Sequence, residues 1–252
     1  MYVFDRPSAR IMAAIGVMVF GFAQAGCGPG SGSNGDSDLV RSGGQEGSNP
    51  GGTAPSTAGG RVVFLGTSLT AGLGLDDPTD RFTDRIQALA DAAELPFRMV
   101  NSGVSGDMSA GGLGRISWLL RAPVQVLVLE LGANDGRRGV TPDSMKANLQ
   151  AIIDSTRIHY PEARLLLAGM QAPPNLGQAY ATAFSSVFSE LARTNGGSLI
   201  PFLLEGVAGV SELNQADAIH PTAEGHRMIA ETVWRYLRPI LDDLNTEQRT
   251  GP

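Results

Sequence analysis

From Val124 to Leu131 the chain is apolar, broken only by Gln125 and Glu130. A run of that length without polar alternation suits a strand covered on both faces, the environment of a central parallel strand. Shorter runs of the same character occur at Val62–Leu65, Phe97–Val100, Leu165–Ala168 and Leu199–Leu203. Helix-period segments lie between them: Phe82–Leu95, a stretch ending at Ile116–Leu120, Pro142–His159, Ala179–Thr194 and Pro221–Leu241. Thr141 before Pro142 reads as an N-cap followed by proline at the first helical position. The alternation predicts an α/β fold, a three-layer α/β/α sandwich around a five-stranded parallel sheet. In such sheets ligands collect beyond the carboxyl ends of the strands.

The remainder of the 252 residues divides by composition. Residues 1–27 read as an export signal. Arg6 and Arg10 precede an apolar run from Ile11 to Ala23, shorter than the roughly 20 residues that span a bilayer. Two endings are open. Ala23-Gln24-Ala25 fits ordinary cleavage, whereas Ala25-Gly26-Cys27 resembles a bacterial lipobox and would leave a lipidated Cys27. The second is favoured, which puts the protein in the cell envelope or periplasm with a membrane anchor. Residues 28–60 are dominated by Gly, Ser, Asn, Pro and Thr and predict a disordered linker. As a flexible coil it would reach roughly 30 Å. Residues 61–243 form the expected domain, and residues 244–252 a polar C-terminal tail. The net charge of −6 and the absence of a basic cluster argue against nucleic acid. One cysteine forbids an internal disulfide.

Two segments carry acyl-transfer chemistry. Gly66-Thr67-Ser68 places a hydroxyl where a buried strand ends in a glycine turn, and Asp217-Ala218-Ile219-His220 places an acid and an imidazole three residues apart. A serine hydroxyl is a weak nucleophile until a base takes its proton, and the base needs an acceptor to fix its tautomer. Ser68, His220 and Asp217 supply those three parts. Ser105 offers no alternative, because a Gly-x-Ser-x-Gly elbow would need glycine where Asp107 stands. Asp217, His220 and His226 could also be weighed as metal ligands, but their spacing matches no zinc pattern. No metal and no cofactor is expected.

Four segments in order carry a family resemblance: Gly66-Thr67-Ser68-Leu69-Thr70-Ala71-Gly72, Asn101-Ser102-Gly103-Val104-Ser105-Gly106, Gly132-Ala133-Asn134-Asp135 and Asp217-Ala218-Ile219-His220-Pro221. They resemble the SGNH (GDSL-type) hydrolases, in particular the bacterial arylesterase, thioesterase and lysophospholipase branch, whose fold is flavodoxin-like. The resemblance implies Ser68, Asp217 and His220 as catalytic triad, and Ser68, Gly103 and Asn134 as oxyanion donors. It departs at Thr67, where the family pattern has Asp, and there the tie on the turn is expected to differ.

The expected activity is a serine esterase acting on carboxylic ester or thioester bonds of acyl or lipid substrates, working as a monomer. The alternatives are an O-deacetylase of envelope carbohydrate and a non-catalytic binding lipoprotein. Leu73, Leu75, Met108, Met170 and Pro173 are the expected walls of the acyl groove. Arg137 and Arg138 follow the third segment and read either as solvated surface or as partners of an anionic head group.

Overall fold

The computed structural model describes residues 59–250, so the signal, Cys27 and nearly all of the linker lie outside the described residues. Five strands carry the domain: β1 (Gly60–Gly66), β2 (Phe97–Gly103), β3 (Val126–Glu130), β4 (Arg164–Ala168) and β5 (Ser198–Ile200). All pair in parallel, in the order β2-β1-β3-β4-β5. The helices are α1 (Ser68–Ala71), α2 (Phe82–Ala92), α3 (Ser109–Leu119), α4 (Ala133–Arg137), α5 (Pro142–His159), α6 (Gln178–Thr194) and α7 (Ala223–Thr250). α2 packs with α7, α3 with α5, and α5 with α6. The predicted sandwich of helices about a five-stranded parallel sheet is the one found.

Burial explains the strands. Val62, Phe64, Leu65 and Val126 are fully inaccessible, and every residue of β3 is buried. Strand order reverses between β1 and β3: the chain leaves β1 for the β2 edge, then returns to build outward through β3, β4 and β5. The loops after β1 and β3 therefore diverge and leave a crevice beyond their carboxyl ends.

Several boundaries differ from expectation. Gly60, assigned to the linker, already pairs with Phe97 in the sheet. β2 runs on to Gly103 because its register with β1 continues to Gly66. α3 begins at Ser109, inside the glycine-rich stretch. The expected tail is a correction of another kind, because residues 244–250 continue α7. The apolar stripe persists through Leu237, Leu241 and Leu244, all buried, and Glu247 pairs with Arg164 at 2.5 Å. Pro239 lies inside this helix. Both it and Arg235, whose carbonyl loses its helical donor, face solvent, where water can take the freed bond.

His226, on the first turns of α7, joins that helix to α2. Its Nδ1 accepts from the N–H of Phe82 at 3.3 Å, one of the donors a helix start leaves open, and its ring stacks on Phe82. Burial, with help from the Arg85 charge, depresses its pKa from 6.5 to about 4. The unfolded chain therefore binds a proton between those values that the folded chain does not, so stability falls as pH drops through that window. Denaturant unfolding across this range should show the domain losing on the order of 2 kcal/mol more than a His226→Asn variant, whose amide oxygen can still accept from Phe82. Equal pH slopes for the two proteins would contradict this.

Candidate active site

β1 ends at Gly66, and Ser68 opens the four-residue helix α1. What fixes this turn is a buried carboxylate. Glu130, the last residue of β3 and 1% exposed, lies opposite Gly66 in the register. Its Oε2 accepts from the Thr67 N–H at 2.8 Å, the Thr70 N–H at 3.2 Å and the Thr70 hydroxyl at 2.7 Å. The Thr67 hydroxyl donates to Oε1 at 3.0 Å. Burial raises the Glu130 pKa, and these four hydrogen bonds oppose the rise. Thr67 is thus a donor where the family pattern has an acid. Glu130 was visible in the sequence only as an interruption of an apolar run.

The Asp217–His220 segment precedes α7. It is closed by the Asn214–Pro221 bridge and by the N–H of Gln215 donating to the His220 carbonyl at 2.7 Å. The Gln215 amide also donates to the Leu73 carbonyl at 2.8 Å, strapping this segment to the loop after α1. Asp217 Oδ1 accepts the N–H groups of Ile219 and His220 at 2.9 and 3.0 Å, and Oδ2 accepts from His220 Nδ1 at 2.5 Å. The backbone bond from His220, followed by its ring N–H, holds the Asp217 carboxyl well below the usual range although the residue is solvent-exposed. The opposite nitrogen, Nε2, is 2.9 Å from Ser68 Oγ. With Nδ1–H directed to the carboxylate, Nε2 is the acceptor for the serine hydroxyl. Residues separated by about 150 positions thus form one chain of hydrogen bonds.

Asn134 stands at the start of α4, after β3. Its amide donates to the Asp107 carbonyl at 2.8 Å, which leaves the second amide hydrogen for a ligand. Asp135 beside it, to which the sequence assigned no role, is buried. It accepts from the Ser109 N–H at 2.9 Å and the Ser109 hydroxyl at 2.5 Å, and Ser109 Oγ in turn accepts from Asn148. This pins α3 and α4 together beneath Asn134.

Gly103 requires correction as an oxyanion donor. Its N–H is taken by Asn101 Oδ1 at 3.0 Å. A Cβ there would lie 2.2 Å from the Ala71 nitrogen, so glycine serves the close approach of β2 to α1. Gly106, three residues on, lines a cavity together with Ser68, Asn134 and His220. It adopts φ +80°, and among the described residues its N–H has no partner.

Two cavities meet at Ser68 and Asn134. One, of about 280 Å³, is apolar, with walls from Met170, Ala172, Pro173, Phe202, Leu204 and Ile219. The other, of about 400 Å³, is polar and contains Leu73, Gly106, Arg137, Arg138 and His220. Of the expected groove residues, Met170 and Pro173 line the apolar cavity and Leu73 the polar one. Leu75 and Met108 line neither: Met108 occupies the position just before α3, and Leu75 sits in the loop held at Gly72. Phe202 falls inside the expected strand Leu199–Leu203 and Leu204 just after it, but the strand stops at Ile200 where β4 ends. A third depression, of about 420 Å³ beside α6, is lined only by neutral residues such as Gln171, Gln178 and Ser185. His226 is buried against Phe82, with its Nδ1 taken by that residue's N–H.

The sequence profile of the GDSL-like lipase/acylhydrolase family matches residues 64–228, more than half of the chain. Esterase TesA of Pseudomonas aeruginosa is 41% identical over 181 residues, 71% of this chain and 89% of that protein. Thioesterase 1/protease 1/lysophospholipase L1 of Escherichia coli K12 is 32% identical over 192 residues, 75% of this chain and 89% of its own length. A crystal structure of TesA superimposes with a TM-score of 0.68 at 39% identity, covering 71% of this chain and 99% of that one. With the sheet order, the ordered motifs and these relatives in agreement, the chain belongs to the GDSL-like lipase/acylhydrolase family of SGNH hydrolases.

Proposed function

We propose that this esterase works through an acyl-enzyme formed on Ser68. The observation that carries the reading is the continuous line from Asp217 through His220 to Ser68, at 2.5 and 2.9 Å, in the crevice where the sheet order reverses. Ser68 Oγ attacks the carbonyl carbon of an ester or thioester while His220 Nε2 takes its proton. Asp217 holds the ring in the required tautomer and stabilises the imidazolium, and it stays ionised throughout. The N–H groups of Ser68 and Gly106 and the free amide hydrogen of Asn134 receive the negative oxygen. Collapse of the intermediate breaks the bond to the alcohol or thiol, which leaves with the proton from His220. Water then deacylates Ser68 by the same sequence of transfers.

The apolar cavity supports an acyl chain as substrate, and it favours one longer than the acetyl group that a sugar deacetylase would present. Relatives bearing the names esterase and thioesterase 1/lysophospholipase L1 support the same class. Export to the cell envelope, with Cys27 lipidated, is the reading that best fits the apolar run 11–23 followed by Ala25-Gly26-Cys27.

A fluorophosphonate probe should label the purified domain on Ser68, and Ser68→Ala should lose the adduct together with at least about 10³-fold in turnover of an acyl p-nitrophenyl ester. A variant that still hydrolyses within tenfold of the original would refute the nucleophile. For the anchor, the full chain expressed in a bacterial host should partition with membranes and incorporate labelled fatty acid, and Cys27→Ser should do neither. Unchanged membrane retention of that variant would refute lipidation at Cys27.

A further inference from the structure

Two of the three groups assigned to the negative oxygen, the Gly106 N–H and the Asn134 amide, hang on one short stretch of backbone. Gly106 lies in it, and the carbonyl of the next residue, Asp107, accepts from the Asn134 amide at 2.8 Å. The stretch is closed by the Asp107 N–H donating to the Val104 carbonyl at 3.1 Å and the Val104 N–H donating to the Gly66 carbonyl at 3.0 Å. Gly106 meets nothing where a side chain would stand, so no packing of its own holds it. Arg138 adds one solvent-exposed bond to the Gly106 carbonyl at 3.1 Å. The firmer hold comes from inside, from a guanidinium on α3.

Arg115 uses its whole fork. Nε donates to Asp107 Oδ2 at 2.8 Å, Nη1 to the Ser102 carbonyl at 2.8 Å and Nη2 to the Gly66 carbonyl at 3.0 Å. The first of these is an ion pair whose side chains are only 24% and 12% exposed. A planar guanidinium reaches three acceptors at fixed angles, which a lysine ammonium on a flexible stem does not. Two of the acceptors stand at the ends of β2 and β1, Gly66 being two residues before Ser68, and the third belongs to the residue after Gly106. One side chain thus joins the turn that presents Ser68 to the peptides that fix Gly106 and Asn134. The other carboxylate oxygen, Asp107 Oδ1, accepts from the Met108 N–H at 3.2 Å, and a Cβ on Gly111 would collide with it. The first turn of α3 is therefore shaped around this carboxylate. Arg115 lines neither cavity at Ser68.

We infer that Arg115, acting through Asp107, is a positioning residue that sets the spacing of the Ser68, Gly106 and Asn134 donors and so decides how well the site holds the negative oxygen. The inference rests on the esterase reading above and adds a residue to it. Donors fixed in advance around that oxygen act on the transition state more than on the bound ester. Loss of the fork is therefore read in kcat and not in KM.

A double-variant cycle with Asn134 separates positioning from general support of the fold. On p-nitrophenyl hexanoate, Arg115→Met should lose about 10²-fold in kcat with KM within about threefold of the original. In an Asn134→Ala protein, which already lacks one of the donors Arg115 positions, the same change should cost less than about tenfold. Inhibition by a hexyl trifluoromethyl ketone, which carries a negative oxygen at the same place once Ser68 adds to it, should weaken in step with kcat/KM. Arg115→Lys, which keeps a positive charge beside Asp107 but not the fork, should fall between the original and Arg115→Met. Losses that multiply in the cycle, a loss carried by KM alone, or a kcat for Arg115→Met within about threefold of the original would overturn the inference, while turnover by the original protein kept the esterase reading intact. Absence of that turnover, with no phosphonate adduct on Ser68, would remove the esterase reading and this inference with it. Should Arg115→Met not fold, Arg115→Lys alone and combined with Asn134→Ala decides by the same criteria.

Discussion

The site depends on a buried carboxylate that lines neither of its cavities. Glu130 ends the central strand with its oxygens under the turn that presents Ser68, and it gathers two N–H groups and two hydroxyls from Thr67 and Thr70. A buried acid left without such partners would be strongly disfavoured. Here the donors come from one short turn, so satisfying the acid and fixing the position of Ser68 are one event. The hydrogen bonds cross from β3 to the residues after β1, the two strands between which the sheet order reverses. Thr67 suits this arrangement because a hydroxyl can donate to Glu130. A carboxylate directed the same way would need to share a proton with it.

The opposing half of the site is assembled with less burial and more hydrogen bonding. Asp217 is solvent-exposed, yet its two oxygens are divided between the backbone of its own segment and the imidazole it orients. The N–H groups aimed at it keep it ionised and outweigh the opposing effect of desolvation. Gln215 ties the segment to the Leu73 carbonyl, so the loop bearing His220 and the loop after Ser68 share one strap. Asp135, through Ser109 and Asn148, performs the corresponding service for Asn134. Glu130, Asp217 and Asp135 therefore position Ser68, His220 and Asn134, which line the polar cavity.

The fold was legible because its signals are local. An unbroken apolar run means a covered strand, and Thr141-Pro142 marks a helix start that the structure places at the same residue. Ser68, Asp217 and His220 could be singled out because the chemistry demands those groups and the motifs occur in a fixed order. The donors were harder. The resemblance points to Gly103, and only the structure reveals that Asn101 occupies its N–H while Gly106 lines the cavity. Glu130 and Asp135 were overlooked for a related reason: one interrupts an apolar run and the other follows Asn134 in a polar stretch, and neither position names the partners that burial requires. The C-terminal residues looked polar in composition, while the burial of Leu244 and the Arg164–Glu247 pair depend on what α7 packs against. Where β5 ends was likewise set by its neighbour β4 and not by its own apolar residues.

A crystal structure of the domain inhibited by a hexyl phosphonate ester would test the central claim most directly, since the phosphonyl oxygen stands where the negative oxygen of the reaction forms. The account predicts a covalent bond to Ser68 Oγ, with the phosphonyl oxygen within about 3 Å of the Ser68 and Gly106 nitrogens and Asn134 Nδ2, and the alkyl chain against Met170 and Phe202. Attachment to another residue, or a phosphonyl oxygen held by Gly103 with Gly106 turned away, would contradict it.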